Sequence, residues 1–205
     1  MQMRIGMLLV FWLAMACGLQ EKDRKTIEDF CRKLREEVQP PASDMQLITY
    51  STELEQAALD YVKTCTPKGE EAGCSGEHLD RGIVYFVGYG TPYQFQHYLQ
   101  VVSRQKQHYD YEKNTCTGPC SHYLQFVVAN ATEVGCATYY SKESASSGKA
   151  FNHIAICFFD QKYKEGERPY EKGPSCSKCP LGSECVRKQC GPATSKYTLS
   201  PTDES

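Results

Sequence analysis

The side chain that best suits chemistry in this sequence is His122, in the segment CSHYLQFVVANATEVGCA (residues 120–137). An imidazole can act as a general base or bind a metal ion, provided that other groups complete the site. The adjacent Ser121 does not make a triad with it, because nucleophile and base must meet through space and need a third, orienting group. A catalytic zinc site takes three ligands from the protein. Two interpretations of His122 therefore stay open. It belongs to a catalytic or metal site that residues from other segments complete, or it is a hydrogen-bonded residue of a cleft.

The other histidines of the C-terminal two thirds show no grouping. His97 and His108 lie on or beside a predicted helix, and His153 lies on a predicted strand. We interpret each of them as a surface or packed residue.

Aromatic residues are concentrated in YFVGYGTPYQFQHYL, residues 85–99. Such a cluster is typical of a core or a cleft wall, and with few polar groups it also suits an apolar ligand such as a lipid or a sterol. Both interpretations stay open for Tyr85, Phe86, Tyr89, Tyr93, Phe95 and Tyr98.

Residues 1–18, MQMRIGMLLVFWLAMACG, have the layout of a secretory signal peptide, with one positive residue and an apolar run that ends in small residues. The run is shorter than the roughly 20 apolar residues of a membrane span. We expect cleavage after Gly18, while cleavage after Ala16 stays an alternative that leaves Cys17 at the mature N-terminus. We expect a secreted, extracellular protein without a membrane span or a lipid anchor.

Charge and a glycosylation motif describe the expected surface. The chain has 205 residues and a formal net charge of -2, and its Lys and Arg form no basic stripe, so we expect no nucleic-acid partner. Asn130-Ala131-Thr132 is a sequon and predicts an N-linked glycan at a surface position.

Hydrophobic spacing predicts three helices in the first half of the chain. The first covers residues 23–38. The second covers residues 52–65 and begins with a capping box that Glu55 completes. The third begins at Thr91-Pro92, a cap followed by proline in the first turn. Between the second and third helices we expect an irregular, Gly-rich loop.

The periodicity changes toward the C-terminus, where residues 132–140 and 150–160 read as strands joined by a polar loop. If the two strands pair as a hairpin, Cys136 and Cys157 can lie opposite each other and be bridged.

A cystine-rich segment follows at residues 171–192. It has four cysteines and few large apolar side chains, so it cannot fold by burial alone. Its C-x-x-C pair, Cys176 and Cys179, suggests zinc, but no second C-x-x-C accompanies it and an oxidising compartment favours disulfides. We therefore expect an α+β domain at residues 19–170, a small disulfide-stapled C-terminal module and a polar tail at residues 193–205.

The cysteine count leaves one thiol unexplained. One of the 12 cysteines lies in the expected leader, so an odd number remains in the mature chain. One thiol is therefore free, paired between chains, or paired with a retained Cys17, and the oligomeric state stays open.

Four segments in this order and spacing resemble the CAP superfamily (SCP/TAPS), which contains cysteine-rich secretory proteins, antigen five and pathogenesis-related proteins: HYDYEKNTC, CSHYLQFVVANATEVGCA, IAICFFD and GERPY. The opening helix and PPASDM are similar as well, so the resemblance covers residues 24–190. GPSCSKCPLGSECVRKQC is similar to the hinge of animal members, and helminth venom-allergen-like proteins are one plausible group of relatives. The resemblance implies an α-β-α sandwich, in which a mostly antiparallel sheet lies between helical layers.

The family's cleft gathers two histidines and two glutamates, and the resemblance places His78, Ile83, Gln105 and His122 at those positions. Both carboxylates are therefore replaced. With two imidazoles left, we expect at best weak Zn²⁺ binding by His78 and His122, and no required cofactor. Loss of the carboxylates also removes the expected orienting group of His122, so we expect no catalytic residue.

The resemblance also implies three disulfides: Cys136–Cys157, Cys176–Cys185 and Cys179–Cys190. We expect Cys116 and Cys120 to take part in local pairing, and we leave Cys31, Cys65 and Cys74 unassigned.

Two functions of different class follow from this reading. The first is a secreted, non-enzymatic CAP protein that binds a small apolar ligand, a sterol or fatty acid as the resemblance implies, or a host or cell-surface receptor. The second is a metal-dependent or serine-type hydrolase that uses a cleft of His78 and His122. The missing carboxylates favour the first.

Overall fold

The computed structural model describes residues 18–64, 66–68, 71–73, 80–88, 94–140 and 153–193. The helices are α1 (Glu21–Glu36), α2 (Thr52–Lys63), α3 (Phe95–Gln105) and α4 (Ser121–Phe126), with a 3-10 turn at Lys106–His108. The strands are β1 (Thr49–Tyr50), β2 (Thr66–Lys68), β3 (Glu71–Gly73), β4 (Gly82–Gly88), β5 (Tyr109–Asp110), β6 (Thr115–Cys116), β7 (Glu133–Tyr140), β8 (His153–Phe159), β9 (Ser183–Val186) and β10 (Gln189–Pro192).

Helices cover both faces of a four-stranded sheet whose order is β1-β7-β8-β4. β1 runs parallel to β7, and the other pairs are antiparallel. α2 packs on one face across β7 and β8, while α1, α3 and α4 pack on the other. The expected α+β class and the α-β-α sandwich are confirmed. Within the described ranges, no helix has the length and apolarity needed to cross a bilayer.

β8 shows why the sheet needs both layers. All seven residues of this strand are buried, and its side chains alternate between two hydrophobic clusters. Ile156 and Phe158 pack with α2, whereas Cys157 and Phe159 pack with the three-helix layer. A strand that is covered on both faces reads as an almost continuous apolar run, which is the pattern of HIAICFF.

The segment between α2 and α3 differs from the irregular loop that its glycines predict. Gly82–Gly88 forms β4, which pairs with β8 along its whole length. Val84 and Phe86 are buried against the three-helix layer. Since β-branched and aromatic side chains stabilise a strand when they pack on a covered face, tertiary contacts override the flanking glycines.

Two helix starts differ from the predicted caps. Ser51, not Thr52, caps α2, and its hydroxyl accepts from the Leu54 N–H at 3.3 Å. Glu55 turns into the protein instead of completing a capping box. α3 begins at Phe95, while the predicted start at Thr91-Pro92 lies outside the described residues.

The cystine-rich segment is joined to the main domain by backbone hydrogen bonds. β9 and β10 form a hairpin, and the segment contains both disulfides that the resemblance implies, Cys176–Cys185 and Cys179–Cys190. The Cys190 N–H donates to the Met45 carbonyl at 2.7 Å, and the Leu47 N–H donates to the Cys190 carbonyl at 2.8 Å. The segment therefore lies against the chain that follows α1.

Arg35 holds the connection between α4 and β7. The side chain is 1% exposed, and burial lowers its pKa to about 10. Its guanidinium donates at 2.7 to 3.2 Å to five backbone carbonyls, those of Gln46, Phe126, Val128, Ala129 and Ala131. The guanidinium thus supplies hydrogen-bond donors to backbone carbonyls of the irregular chain between α4 and β7.

Candidate functional site

A disulfide and a side-chain cap position His122 in the first turn of α4. The Cys116–Cys120 bridge closes the turn that precedes the helix. Gln105, the last residue of α3, accepts through Oε1 from the backbone N–H groups of His122 at 2.9 Å and Tyr123 at 3.2 Å. The first N–H groups of a helix have no partner within it, so Gln105 takes the part of a cap. Both lone pairs of its oxygen are used.

The His122 ring lies against an apolar wall. The Phe86 ring centroid is 5.0 Å away in an edge-on arrangement, and Tyr98 lies 5.3 Å beyond Phe86. Burial lowers the pKa of His122, which favours the neutral imidazole. Within the described part of the chain, its buried Nδ1 has no hydrogen-bond partner. A general base needs a group that orients it and stabilises the imidazolium, and none contacts His122 in these ranges.

The four predicted cleft positions are only partly brought together. Gln105 and His122 meet, as described above. Ile83 packs instead with the cluster around α2, on the opposite face of the sheet from Phe86 and His122. We therefore correct the expectation that Ile83 lines the cleft: strand alternation turns its side chain away. His78 lies outside the described residues.

A small change of alignment does not restore the missing carboxylate. β4 reads GIVYFVG and contains no acidic residue at any position. The two side chains of this strand that pack on the His122 face are Val84 and Phe86, and both are apolar.

The aromatic candidates divide between core and surface. Phe86, Phe95 and Tyr98 are 4 to 6% exposed and belong to the core, whereas Tyr85 is 48% exposed on the α2 side. Tyr89 and Tyr93 lie outside the described residues. The buried three are packed side chains of the core and not an open apolar surface.

A cavity of about 390 Å³ lies where the starts of α1 and α3 approach β7. Most of its lining is polar and includes Lys22, Asp23 and Thr138, and its large apolar residues are Leu19 and the buried Phe95. Its volume falls in the range of small-molecule pockets, roughly 300 to 1,000 Å³. This cavity adjoins the aromatic stretch that the sequence singled out.

A second, more polar cavity of about 710 Å³ has Asn130 in its wall, together with Tyr163 and Arg168. Asn130 is exposed, and its Nδ2 lies 3.4 Å from Gln161 Oε1. This exposure is compatible with the predicted glycan, which stays a prediction.

The remaining cysteines are placed as follows. Cys136 and Cys157 lie opposite each other in β7 and β8 and form a disulfide. Cys31 is a buried free thiol, and burial raises its pKa to about 12. Cys65 and Cys74 lie outside the described residues.

The hinge sulfurs answer the question of zinc at the C-x-x-C pair. Three of them, Cys176, Cys179 and Cys190, lie within 4.8 Å of one another, as metal ligands would. All three are engaged in disulfides, so this structure has no thiolates there to bind a cation.

Sequence reasoning missed two buried charges, Arg35 and Glu55. Both residues lie on helices, at positions that the hydrophobic periodicity assigns to the buried face. A charged residue at such a position is the sequence signal that could have indicated its burial.

Comparison with known proteins identifies the family. The model of the cysteine-rich secretory protein family, CAP, matches residues 24–159. The chain is 28% identical over 183 residues to peptidase inhibitor 16 of Mus musculus, covering 85% of this chain and 35% of that one. It is 27% identical over 202 residues to peptidase inhibitor 15-A of Danio rerio, covering 88% and 74%. The chain spans about a third of the length of the first of these curated relatives.

The fold is shared with a venom allergen-like protein of Schistosoma mansoni, with a TM-score of 0.56, 22% identity, and coverage of 78% of this chain and all of that chain. A structure described as NaASP2 with Zn²⁺ gives a TM-score of 0.61 at 20% identity, with coverage of 85% and 98%. These likenesses show the fold. The family match over most of the described fold shows that the chain belongs to the cysteine-rich secretory protein (CAP) family.

Proposed function

We propose that this CAP protein is a secreted, non-enzymatic binding protein. The observation that carries the proposal is the use of Gln105 as the cap of α4. Its oxygen accepts two backbone N–H groups. The family resemblance implies a carboxylate at this position in relatives with a complete cleft. Neither a charged metal ligand nor an acid–base partner for His122 remains at that position. The disulfides of the described fold support an oxidising, extracellular location.

The ligand that suits this protein is small and largely apolar, of the fatty acid or sterol class. The cavity beside Leu19 and Phe95 supports this proposal, because it combines an apolar part with exposed polar side chains. A fatty acid has the same division between an apolar chain and a polar head. Recognition of a receptor is compatible with the fold, but no described surface favours it over the ligand.

A substitution on β7 that fills the cavity tests this proposal. Thr138 lies in its wall, and Thr138→Trp places a large side chain there. Tyr139→Trp is the matched control, because the next residue of a strand points to the opposite face. Native mass spectrometry and lipid extraction of the secreted protein identify a bound lipid, and titration with a fluorescent fatty acid measures its affinity.

We expect the natural protein and Tyr139→Trp to bind the fatty acid, and Thr138→Trp to bind it at least about tenfold more weakly, a difference of about 1.4 kcal/mol. Equal affinity of all three proteins would place the ligand elsewhere. Absence of any lipid from the secreted protein and of any binding in the titration would remove the ligand proposal.

A further inference from the structure

A buried carboxylate holds the backbone at Leu19. Glu55 of α2 is 4% exposed, and Arg24 donates to it through Nε and Nη2, both at 2.9 Å. The Tyr50 hydroxyl donates to the same carboxylate at 2.7 Å. The fourth donor is the backbone N–H of Leu19, which lies 3.1 Å from Oε1. One carboxylate, on α2, thus ties together Leu19, α1 and β1.

Leu19 is the residue that cleavage after Gly18 would make the first of the mature protein. Water hydrolyses the Gly18–Leu19 peptide bond with the help of a leader-processing peptidase: its oxygen goes to the Gly18 carbonyl carbon, and the Leu19 nitrogen leaves as an amine and takes a proton. The neutral N–H donor then becomes an ammonium group with three donors. An α-amino group ordinarily has a pKa of about 7.7 to 8.0, so it is largely charged at neutral pH.

We propose that Glu55 is a binding site for the α-ammonium group of Leu19, and that cleavage at Gly18–Leu19 fastens the mature N-terminus to the fold. The proposal rests on the leader expected at residues 1–18 and not on the identity of the proposed ligand, although Leu19 also lines the cavity proposed for that ligand.

Charge balance supports this assignment. Arg24 also lies 3.6 Å from the exposed carboxylate of Glu21. Before cleavage, the cluster has one cation, Arg24, and two carboxylates, Glu55 and Glu21. The ammonium group supplies a second cation beside the buried carboxylate. The neutral N–H already donates to an ionised acceptor, and the ammonium group adds the attraction between opposite charges at a site that is shielded from water.

The geometry at Gly18 also favours cleavage of the Gly18–Leu19 peptide bond over cleavage after Ala16. A Cβ at residue 18 would lie 2.5 Å from Glu55 Oε1 and 3.1 Å from Arg24 Nη2, so the backbone of Gly18 lies close against the ion pair. Cleavage after Gly18 removes that residue. Cleavage after Ala16 would create the ammonium group at Cys17 and leave the Leu19 nitrogen, the atom that contacts Glu55, a neutral amide.

The first experiment is the intact mass and N-terminal sequence of the secreted protein, for which we expect Leu19 as the first residue. The second compares the protein that begins at Leu19 with one that has a Gly-Ser extension before Leu19. Both are made in the natural background and with Glu55→Gln. Glu53→Gln is the matched control, because Glu53 lies on the same helix but is exposed.

We expect the extension to lower the folding equilibrium constant, measured by urea unfolding, about tenfold in the natural and Glu53→Gln backgrounds and less than twofold with Glu55→Gln. Should Glu55→Gln fail to fold, NMR titration of the α-amino group in the natural protein decides, and a pKa raised above its ordinary range is expected. A different mature N-terminus, an extension without effect, or an ordinary α-amino pKa would each overturn the proposal.

Discussion

Replacing Arg35 by methionine tests whether a buried cation organises the chain between α4 and β7. The substitution keeps an unbranched side chain but removes all five donors. Two of the five carbonyls, those of Val128 and Ala129, also accept a backbone N–H. Among the described residues, the buried carbonyls of Phe126 and Ala131 have Arg35 as their donor. A buried polar group without a partner costs about 1 to 3 kcal/mol, so we expect Arg35→Met to lower the free energy of unfolding by about 2 to 6 kcal/mol.

A competing effect has the opposite sign. Burial disfavours the charged form of Arg35 and lowers its pKa to about 10. Removing such a charge relieves a desolvation cost, and replacing buried ionic groups by apolar ones is sometimes neutral or stabilising. Here the carbonyls stay behind without donors, so we expect the loss of hydrogen bonds to outweigh the relief.

Urea unfolding of the natural protein and of Arg35→Met measures the difference. Arg32→Met is the matched control, because Arg32 lies one turn earlier on α1, is partly exposed and donates to a single carbonyl, that of Ile48, at 3.0 Å. We expect Arg32→Met to lower the free energy of unfolding by about 1 kcal/mol. An Arg35→Met protein as stable as the natural one, or more stable, would refute the reasoning.

The other predictions concern the cysteines and Glu55. Cys31, whose pKa burial raises to about 12, should resist alkylation in the native protein and react after unfolding, as peptide mapping will show; labelling of the native protein would contradict its burial. Replacing Cys136 and Cys157 by alanine opens a bridge of sequence separation 21 and should lower the free energy of unfolding by about 3 kcal/mol, against which a loss below about 1 kcal/mol would count. Burial alone would raise the pKa of Glu55, but hydrogen bonds from Arg24 and Tyr50 outweigh it and lower that pKa. Its contribution should therefore be complete above the unfolded value of about 4.3 and decrease as pH falls further, so the difference between the natural protein and Glu55→Gln should be smaller at pH 3 than at pH 7.

The sheet shows how much of the fold the sequence predicts. The strand that contains Cys157 was readable, because burial on both faces makes it an apolar run. β4 was missed because glycines bound it and its stability comes from pairing with β8, a contact between distant residues that local pattern does not contain. α4, six residues long, is likewise fixed by the disulfide at Cys120 and by Gln105 more than by periodicity.

The sequence identifies which residue types occupy the candidate site, but it does not give the direction in which each side chain points. Gln105 and His122, which the resemblance assigns to one cleft, lie at the ends of adjoining helices and contact each other through the His122 backbone N–H. The resemblance misplaced Ile83, because the face on which a strand residue lies changes with every position and depends on register. The role of Gln105 as a cap depends on a hydrogen bond across 17 residues, which only the folded chain reveals.

The central proposal is that His122 belongs to neither a metal centre nor an acid–base centre, and the use of Gln105 as the cap of α4 supports this claim. Isothermal titration of the full secreted protein with Zn²⁺ at neutral pH, beside His122→Ala, tests this claim most directly. The account predicts weak binding by the natural protein and no tighter binding by His122→Ala, since imidazoles without a carboxylate leave most coordination positions to water. Tight binding by the natural protein that His122→Ala abolishes would contradict it.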